Sequence, residues 1–516
     1  MKKHFIRNRR VRWGGIAAVL TVLVIAVTVL TNAVFGTLAK RYGWYKPMNA
    51  TPNYDVTETC YALLGDTFSS LSANGHATHA EIIFCDTAVN LQADSTMSYL
   101  YHTATSIAEK YPENVTVTCH DIWTNPVAVK QYKTTVNPTT GETVETALKS
   151  TSVIVVASDY HRVYALEEFF VFEDGNTEKL WAYNGEKKLA AGIIRAIDPE
   201  EHVVALTNNH GEIFYDYELL YLLDDAGYTV TYLDLYKDPI PENCDLIISY
   251  NPNSDLVEDE LSSVSEPALL DEFLSKDGNS FWVFLENGTP ELVNFEKYLE
   301  GWGVDFGYHT SGERSYRYMV QDSTQTLTSD GYTIYGTAVR GGHSGEMLEA
   351  LDSKVVFKNA TAIQPAAGFL NNGDGSYTKG ERTMYSLYEG GTNAVSWANG
   401  KAVASAAGND AILMSLSTQK KAGATSHVGV VTSVDFSAEE FLQSAVYGNT
   451  DALMRILKTT GKTYTPEGLT IKPFEALEMS TVTTREMLWW TIGLAVTPAV
   501  AVTAIAVIVL VKRRNA

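Results

Sequence analysis

Apolar positions recur with strand or helix periodicity through most of the chain. Residues 81–85 (EIIFC) predict a short buried strand, and residues 95–110 place Met97, Leu100, Tyr101, Ala104, Ile107 and Ala108 at helical spacing. Residues 115–119 (VTVTC) are β-branched and predict a second strand. Residues 121–126 (DIWTNP) then break into a helix that runs to Tyr132. A strand at 152–157 (SVIVVA) continues through 162–171 as a hairpin. Strand, helix, strand, helix, strand, strand is a thioredoxin-like order, expected over residues 56–180. A connecting helix at 186–198 stops before Pro199.

The next stretch alternates more regularly. Strands are expected at 202–207 (HVVALT), 228–235 (YTVTYLDL), 244–250 (CDLIISY) and 280–285 (SFWVFL). Between them lie helices at 215–226, closed by Gly227, and at 256–275, interrupted near Pro267. A further helix at 295–302 ends at Gly303. This pattern predicts a doubly wound, Rossmann-like α/β sheet over residues 181–461. Residues 310–425 are less periodic and rich in Gly, Ser and Thr, so they read as an insertion of strands and long loops. A return strand at 426–433 and a helix pair at 439–459 close the unit.

Both ends carry long uncharged apolar runs, 13–35 and 488–511. At about 1.5 Å rise per residue, each is long enough to cross a hydrocarbon core of roughly 30 Å. A transmembrane helix is therefore expected at each. Trp489 and Trp490 sit at the edge of the second, and Pro498 lies inside it. The basic tails 1–12 and 512–516 place both termini in the cytoplasm. The expectation is a two-pass plasma membrane protein, tethered to the bilayer by two helices and two stalks, 36–55 and 462–487. Its bulk is extracytoplasmic. A cleaved signal peptide is the alternative for the first run, with Thr31-Asn32-Ala33 as its end. The run exceeds the roughly 7–15 apolar residues of a signal core.

The net charge is −22. That balance argues against nucleic acid as a partner. The four cysteines, Cys60, Cys85, Cys119 and Cys244, form no CxxC pair and lack zinc or dithiol spacing. A disulfide and buried free thiols both remain open.

The best-placed polar cluster is Asn208-Asn209-His210-Gly211-Glu212, after the strand at 202–207. Open α/β sheets bind ligands at that carboxyl edge. Asn209, His210 and Glu212 are candidate ligand contacts, and His210 with Glu212 is a candidate acid–base pair. The plainer alternative is a Gly-bearing turn whose Asn residues cap a helix. A second cluster is Leu285-Glu286-Asn287-Gly288, at a strand-to-turn junction. A nucleophile elbow places Ser or Cys at such a point. Glu286 and Asn287 are not acyl-transfer nucleophiles, which argues against hydrolase or amidotransferase chemistry and leaves them as candidate ligand contacts. Neither GxGxxG nor GxxxxGK[ST] occurs at a strand end. His76 and His79 lie in a polar loop with no further His or Cys at metal spacing. No cofactor, metal or catalytic residue is expected.

With these motifs in order, the chain resembles the gliding-motility-type (GldG-like) auxiliary components of ABC transporters. Residues 121–132 (DIWTNPVAVKQY) match that family's Asp-x-x-x-Asn-Pro-x-x-x-x-x-Tyr stretch. Gly185-Glu186 leads into 203–212 (VVALTNNHGE), similar to a family strand ending in Gly-His-Gly-Glu, with Asn209 standing for the first Gly. Gly227-Tyr228, 240–248 (IPENCDLII), Asn251-Pro252, 428–436 and the stretch from Gly448-Asn449 to Gly461 also fit. The resemblance implies a thioredoxin-like domain followed by one similar in fold to class I glutamine amidotransferases. It implies a non-catalytic partner of an ABC permease subunit and, through it, of a cytoplasmic ATPase, contacting the permease or its cargo. Two alternatives stand beside it. One is a cell-surface hydrolase acting on glycan or peptide through His210, Glu212 and Asp216. The other is a tethered solute-binding module, which needs a deep cleft.

Overall fold

The computed structural model describes residues 54–474, apart from 137–142, 159, 174–175, 199, 213–216, 260–263, 312–313, 349–350, 352, 392–393, 399–400 and 404–410, together with Trp489. The chain divides into two units, Met1–Asn53 and Tyr54–Ala516, and every described residue belongs to the second.

The expected spans at 13–35 and 488–511 lie outside the described residues, Trp489 excepted. Among the described residues no helix is long and apolar enough to cross a membrane. The longest, α1 (Glu58–Ala73), has 16 residues and buries only one face. At about 1.5 Å per residue it falls short of a core roughly 30 Å thick. The fold class is therefore corrected to mixed α/β, rich in strands, with no membrane-spanning helix among the described residues. The two-pass plasma membrane placement is corrected with it, since no described helix spans a bilayer.

The first layer begins with α1, whose N-cap Thr57 accepts a bond from the Cys60 amide at 3.2 Å. Then come β1 (Ala80–Phe84), α2 (Met97–Lys110), β2 (Val115–Cys119), β3 (Val153–Ala157) and β4 (Tyr160–Tyr164). The sheet order is β2-β1-β3-β4, with β1 and β2 parallel and the other pairs antiparallel. Residues 121–132 are not the expected helix. They form turns and a short 3₁₀ segment, Lys130–Tyr132, because Asp121 takes the Trp123 amide at 2.8 Å and the Thr124 hydroxyl at 2.9 Å.

Helix α3 (Gly185–Ile197) is buried on nearly every side. Leu189, Ala190, Ile193 and Ile194 join the core of α1, α2 and β3. Its polar flank faces the next layer: Lys188 Nζ lies 2.6 Å from Asp225 Oδ1, and Arg162 of β4 pairs with Asp224, all four side chains largely buried.

The large sheet follows with β5 (His202–Thr207), α4 (Glu218–Asp225), β6 (Tyr228–Leu233), β7 (Cys244–Tyr250), α5 (Glu266–Phe273), β8 (Ser280–Phe284) and α6 (Val293–Gly301). Residues 256–275 are not one interrupted helix. A small hairpin, Glu258–Asp259 with Val264–Ser265, precedes α5. Ser265 caps α5, accepting from the Ala268 amide at 3.3 Å, and Pro267 sits in the first turn, where a missing N–H costs nothing. Later come β9 (Arg382–Glu389), β10 (Ile412–Lys421), β11 (Ala424–Val431) and α7 (Asn449–Thr460).

The order across this sheet is β6-β5-β7-β8-β11-β10-β9, continued by strands Thr333–Ala338 and Val355–Lys358. The run from β6 to β11 is parallel, and β11, β10 and β9 are antiparallel. Trp282 of β8 stands in register with Gly429 of β11, and its indole occupies the space a side chain there would need. From β5 the chain goes outward to β6 and then crosses back to β7. The carboxyl ends of β5 and β7 thus form the crevice where such sheets bind ligands.

Candidate functional site

The turn after β5 folds into that crevice instead of lying on the surface. Gly211, at φ 72°, reverses the chain in a conformation that strains other residues. The His210 carbonyl accepts the Asn253 and Ser254 amides, each at 2.8 Å. These bonds tie the turn after β5 to the turn after β7.

His210 then sits between two carboxylates. Its Nδ1 is 3.3 Å from Glu212 Oε1, and its Nε2 is 2.9 Å from Glu266 Oε2. The three side chains are only 2%, 1% and 0% exposed, respectively. Each carboxylate has further donors. Glu212 takes the His210 amide at 2.7 Å, the Ser249 hydroxyl at 3.3 Å and the Thr207 hydroxyl. Glu266 takes the Val257 amide at 2.6 Å and the Asn209 side-chain amide at 2.7 Å. Asn209 also accepts the Leu235 amide at 3.2 Å, so it braces the crevice and caps no helix.

Burial works against a charged imidazole, but the two carboxylate bonds outweigh it and push the His210 pKa up to about 9. Burial raises both carboxyls as well, yet the bonds from His210 prevail and leave Glu212 and Glu266 below the usual range. An imidazolium held between two ionised carboxylates is a buried ion-pair strut that keeps one negative charge in excess. Both ring nitrogens are committed, and solvent does not reach them.

Sequence reasoning singled out Asn209, His210 and Glu212 together, and the structure brings them together. It missed Glu266. The available signal was an acidic residue after a capping Ser at a helix start, a pattern that usually marks an exposed first turn. Asp216 lies outside the described residues.

The second cluster surrounds the ends of β7 and β8. Asn251, at φ 51°, donates from Nδ2 to Glu286 Oε1 at 3.0 Å and accepts the Thr289 hydroxyl at 3.0 Å. Asn287 Nδ2 donates to the Arg317 carbonyl at 3.2 Å. Beside this turn is a cleft of about 300 Å³, walled by residues 287–291, Tyr308 and Arg317.

Arg317 ends the hairpin formed by Tyr308–Ser311 and Arg314–Arg317, and its side chain is 2% exposed. Its Nη2 donates to Glu296 Oε1 at 2.6 Å and to the Pro290 carbonyl at 3.0 Å, and its Nε donates to the Tyr308 hydroxyl at 2.8 Å. Its Nη1 is buried with no hydrogen-bond partner among the described residues.

All four cysteines are free thiols, and Cys60, Cys85 and Cys244 are buried. Among the described residues no group of His, Cys, Asp and Glu side chains is arranged to hold a metal ion. In comparison with known proteins, the chain matches no family model and no curated protein.

Proposed function

We propose that the chain is a non-catalytic recognition component of an ABC-type transport system, working beside a permease subunit and, through it, a cytoplasmic ATPase. The observation that carries the non-catalytic half is the His210–Glu212–Glu266 strut. It fills the crevice where an α/β enzyme of this topology would keep its reactive groups, and it leaves neither ring nitrogen free to move a proton. The junction at Glu286-Asn287 supports the same reading, since it presents no nucleophile. The transport half rests on the ordered motifs at 121–132, 203–212, 240–248 and 448–461.

The test is affinity purification of the tagged full chain from its native cell in mild detergent. An ABC permease and its ATPase should come with it in fixed ratio. Recovery of the chain without either sinks the transport reading. Hydrolysis of a glycan or peptide that disappears in Glu212→Gln would overturn the non-catalytic one.

A further inference from the structure

We propose that β2 takes an extended, positively charged strand of a partner protein as a fifth strand of the first sheet. The inference goes beyond the transport reading and does not rest on it; permease recovery tests that reading on its own.

The first observation is an open edge. β2 ends the four-stranded sheet and pairs only with β1. In a parallel pair, alternate residues turn both backbone groups toward the neighbour. The Asn114 carbonyl accepts the Ala80 amide, and the His120 amide donates to the Phe84 carbonyl, each at 2.8 Å. Thr116 and Thr118 share that parity and face β1. The N–H and C=O groups of Val117 and Cys119 therefore point away from the sheet. Both residues are half-buried, so solvent reaches this edge, and among the described residues no hydrogen bond is made to those backbone groups.

The second observation is that the edge lacks the usual guards. Free edges are blunted by charged side chains, Pro or bulges, because unpaired backbone is a template for another strand. β4, at the other end of the same sheet, carries His161 and Arg162. β6, the outer strand of the large sheet, buries Tyr228 and Val230 almost completely. β2 reads VTVTC, with no charge, no Pro and an unbroken register against β1. Its β-branched side chains favour the extended conformation that an added strand pairs with.

The third observation is charge, which selects the occupant. Exposed Glu113 precedes β2, Asp121 follows it, and Glu81 accepts the Thr118 hydroxyl at 2.7 Å beside it. Across residues 109–121 Lys110 is the single Lys or Arg, against Glu109, Glu113 and Asp121. The Lys110 amine lies over the Tyr61 ring, 5.2 Å from its centroid. Two copies of β2 meeting about a two-fold axis at Val117 would set Glu113 opposite Asp121, a like-charge pair that destabilises. A strand with Lys or Arg at both places turns each of those contacts attractive. The backbone ladder then supplies affinity, and the flanking charges supply register and selectivity.

The experiment is calorimetric titration of the purified full chain with the peptide Lys-Val-Thr-Val-Thr-Val-Thr-Val-Lys, whose lysines have the spacing of Glu113 and Asp121. The same peptide with Glu at both ends is the control, and hydrogen exchange across residues 115–119 is followed alongside. The Lys-ended peptide should bind saturably and slow exchange in that segment by about tenfold or more. The Glu-ended peptide should bind at least about tenfold more weakly. Val117→Pro removes an outward N–H that β1 does not use, and should cut affinity by about tenfold or more. Thr116→Lys adds a guarding charge and should weaken binding by about threefold at low salt, with the unfolding temperature unchanged. The proposal is overturned by no saturable binding, by binding that leaves exchange at 115–119 unchanged, by equal affinity for the Glu-ended peptide, or by affinity unchanged in both variants. A dimer of the chain in sedimentation that Val117→Pro dissociates also overturns it, because the occupant of the edge is then a second copy.

Discussion

His210 Nε2 stands 2.9 Å from Glu266 Oε2, although 56 residues separate them in the chain. The contact joins the turn after the first strand of the large sheet to the first residue of a helix on the far side of the crevice. With Glu212 on the other ring nitrogen, it places one positive and two negative charges out of reach of water.

This arrangement makes stability depend on pH in a defined sense. The His210 pKa rises from an ordinary 6.5 to about 9 on folding. Its contribution is fully present below about 6.5 and is lost as pH rises through about 9. Glu212 and Glu266 shift downward, so their share is present above the usual carboxylate range and fades as pH falls through their lowered values. Urea denaturation should show the unfolding free energy falling between pH 6.5 and 9. His210→Asn should flatten that limb, and an unchanged slope would mean that the imidazolium is not the titrating group.

Removing one carboxylate tests the strut directly. Glu266→Ala breaks a buried ion pair and leaves the His210 Nε2–H, the Val257 amide and the Asn209 side-chain amide without their acceptor, and should cost roughly 3–5 kcal/mol. Glu266→Gln keeps the shape and should still destabilise. A loss under about 1 kcal/mol for both, in the range of exposed pairs, would show that water reaches the cluster.

Lys188 and Asp225 make the same kind of bond between the two layers, at 2.6 Å with side chains 9% and 7% exposed. Asp225→Ala should destabilise by roughly 3–5 kcal/mol, whereas replacing both partners with apolar residues of similar volume should recover much of the loss. A double-mutant cycle checks it. Additive losses would mean that the pair is not coupled.

Thiol chemistry should divide by exposure. Burial pushes the Cys85 thiol up to about 11 and the Cys244 thiol up to about 12, and it raises Cys60 further. Native protein should react slowly with a thiol reagent at neutral pH, with the half-buried Cys119 leading. All four thiols should titrate once the chain is unfolded without reductant, and a shortfall of two would reveal a disulfide.

Gly429 tests close packing in the middle of the large sheet. A Cβ built there meets the Trp282 indole at 2.6 Å. Gly429→Val should therefore cost at least about 1–3 kcal/mol, because a central strand and a fully buried ring have nowhere to move. Thermal unfolding of Gly429→Val alone and with Trp282→Phe separates the clash from strand propensity, since the smaller ring should relieve part of the loss.

Local pattern reaches some elements and not others. The strands at 202–207 and 244–250 appear at the expected residues because both faces are buried, so apolar positions run together in their middles. The helix expected through Tyr132 fails because Asp121 binds its own neighbours' donors. The helix expected from residue 256 fails because the Ser265 cap and Pro267 define a start that spacing alone places earlier. The apolar runs at the ends read as spans by length; they lie outside the described residues, Trp489 excepted, and among the described residues no helix is long and apolar enough to cross a membrane.

The sequence by itself determined where strands and helices alternate, that His210 and Glu212 share a turn at a strand's carboxyl end, and that no Ser or Cys stands at the junction after β8. These follow from short-range periodicity and turn chemistry. Only the tertiary structure decided what those residues face. Glu266 reaches His210 because β5 and α5 meet across the crevice, and Arg317 becomes a buried guanidinium with an unused donor because its hairpin folds back over Glu296. Such contacts join residues far apart in the chain. Their energy comes from excluding water around paired charges, which depends on which distant segments pack together and leaves no mark in local spacing.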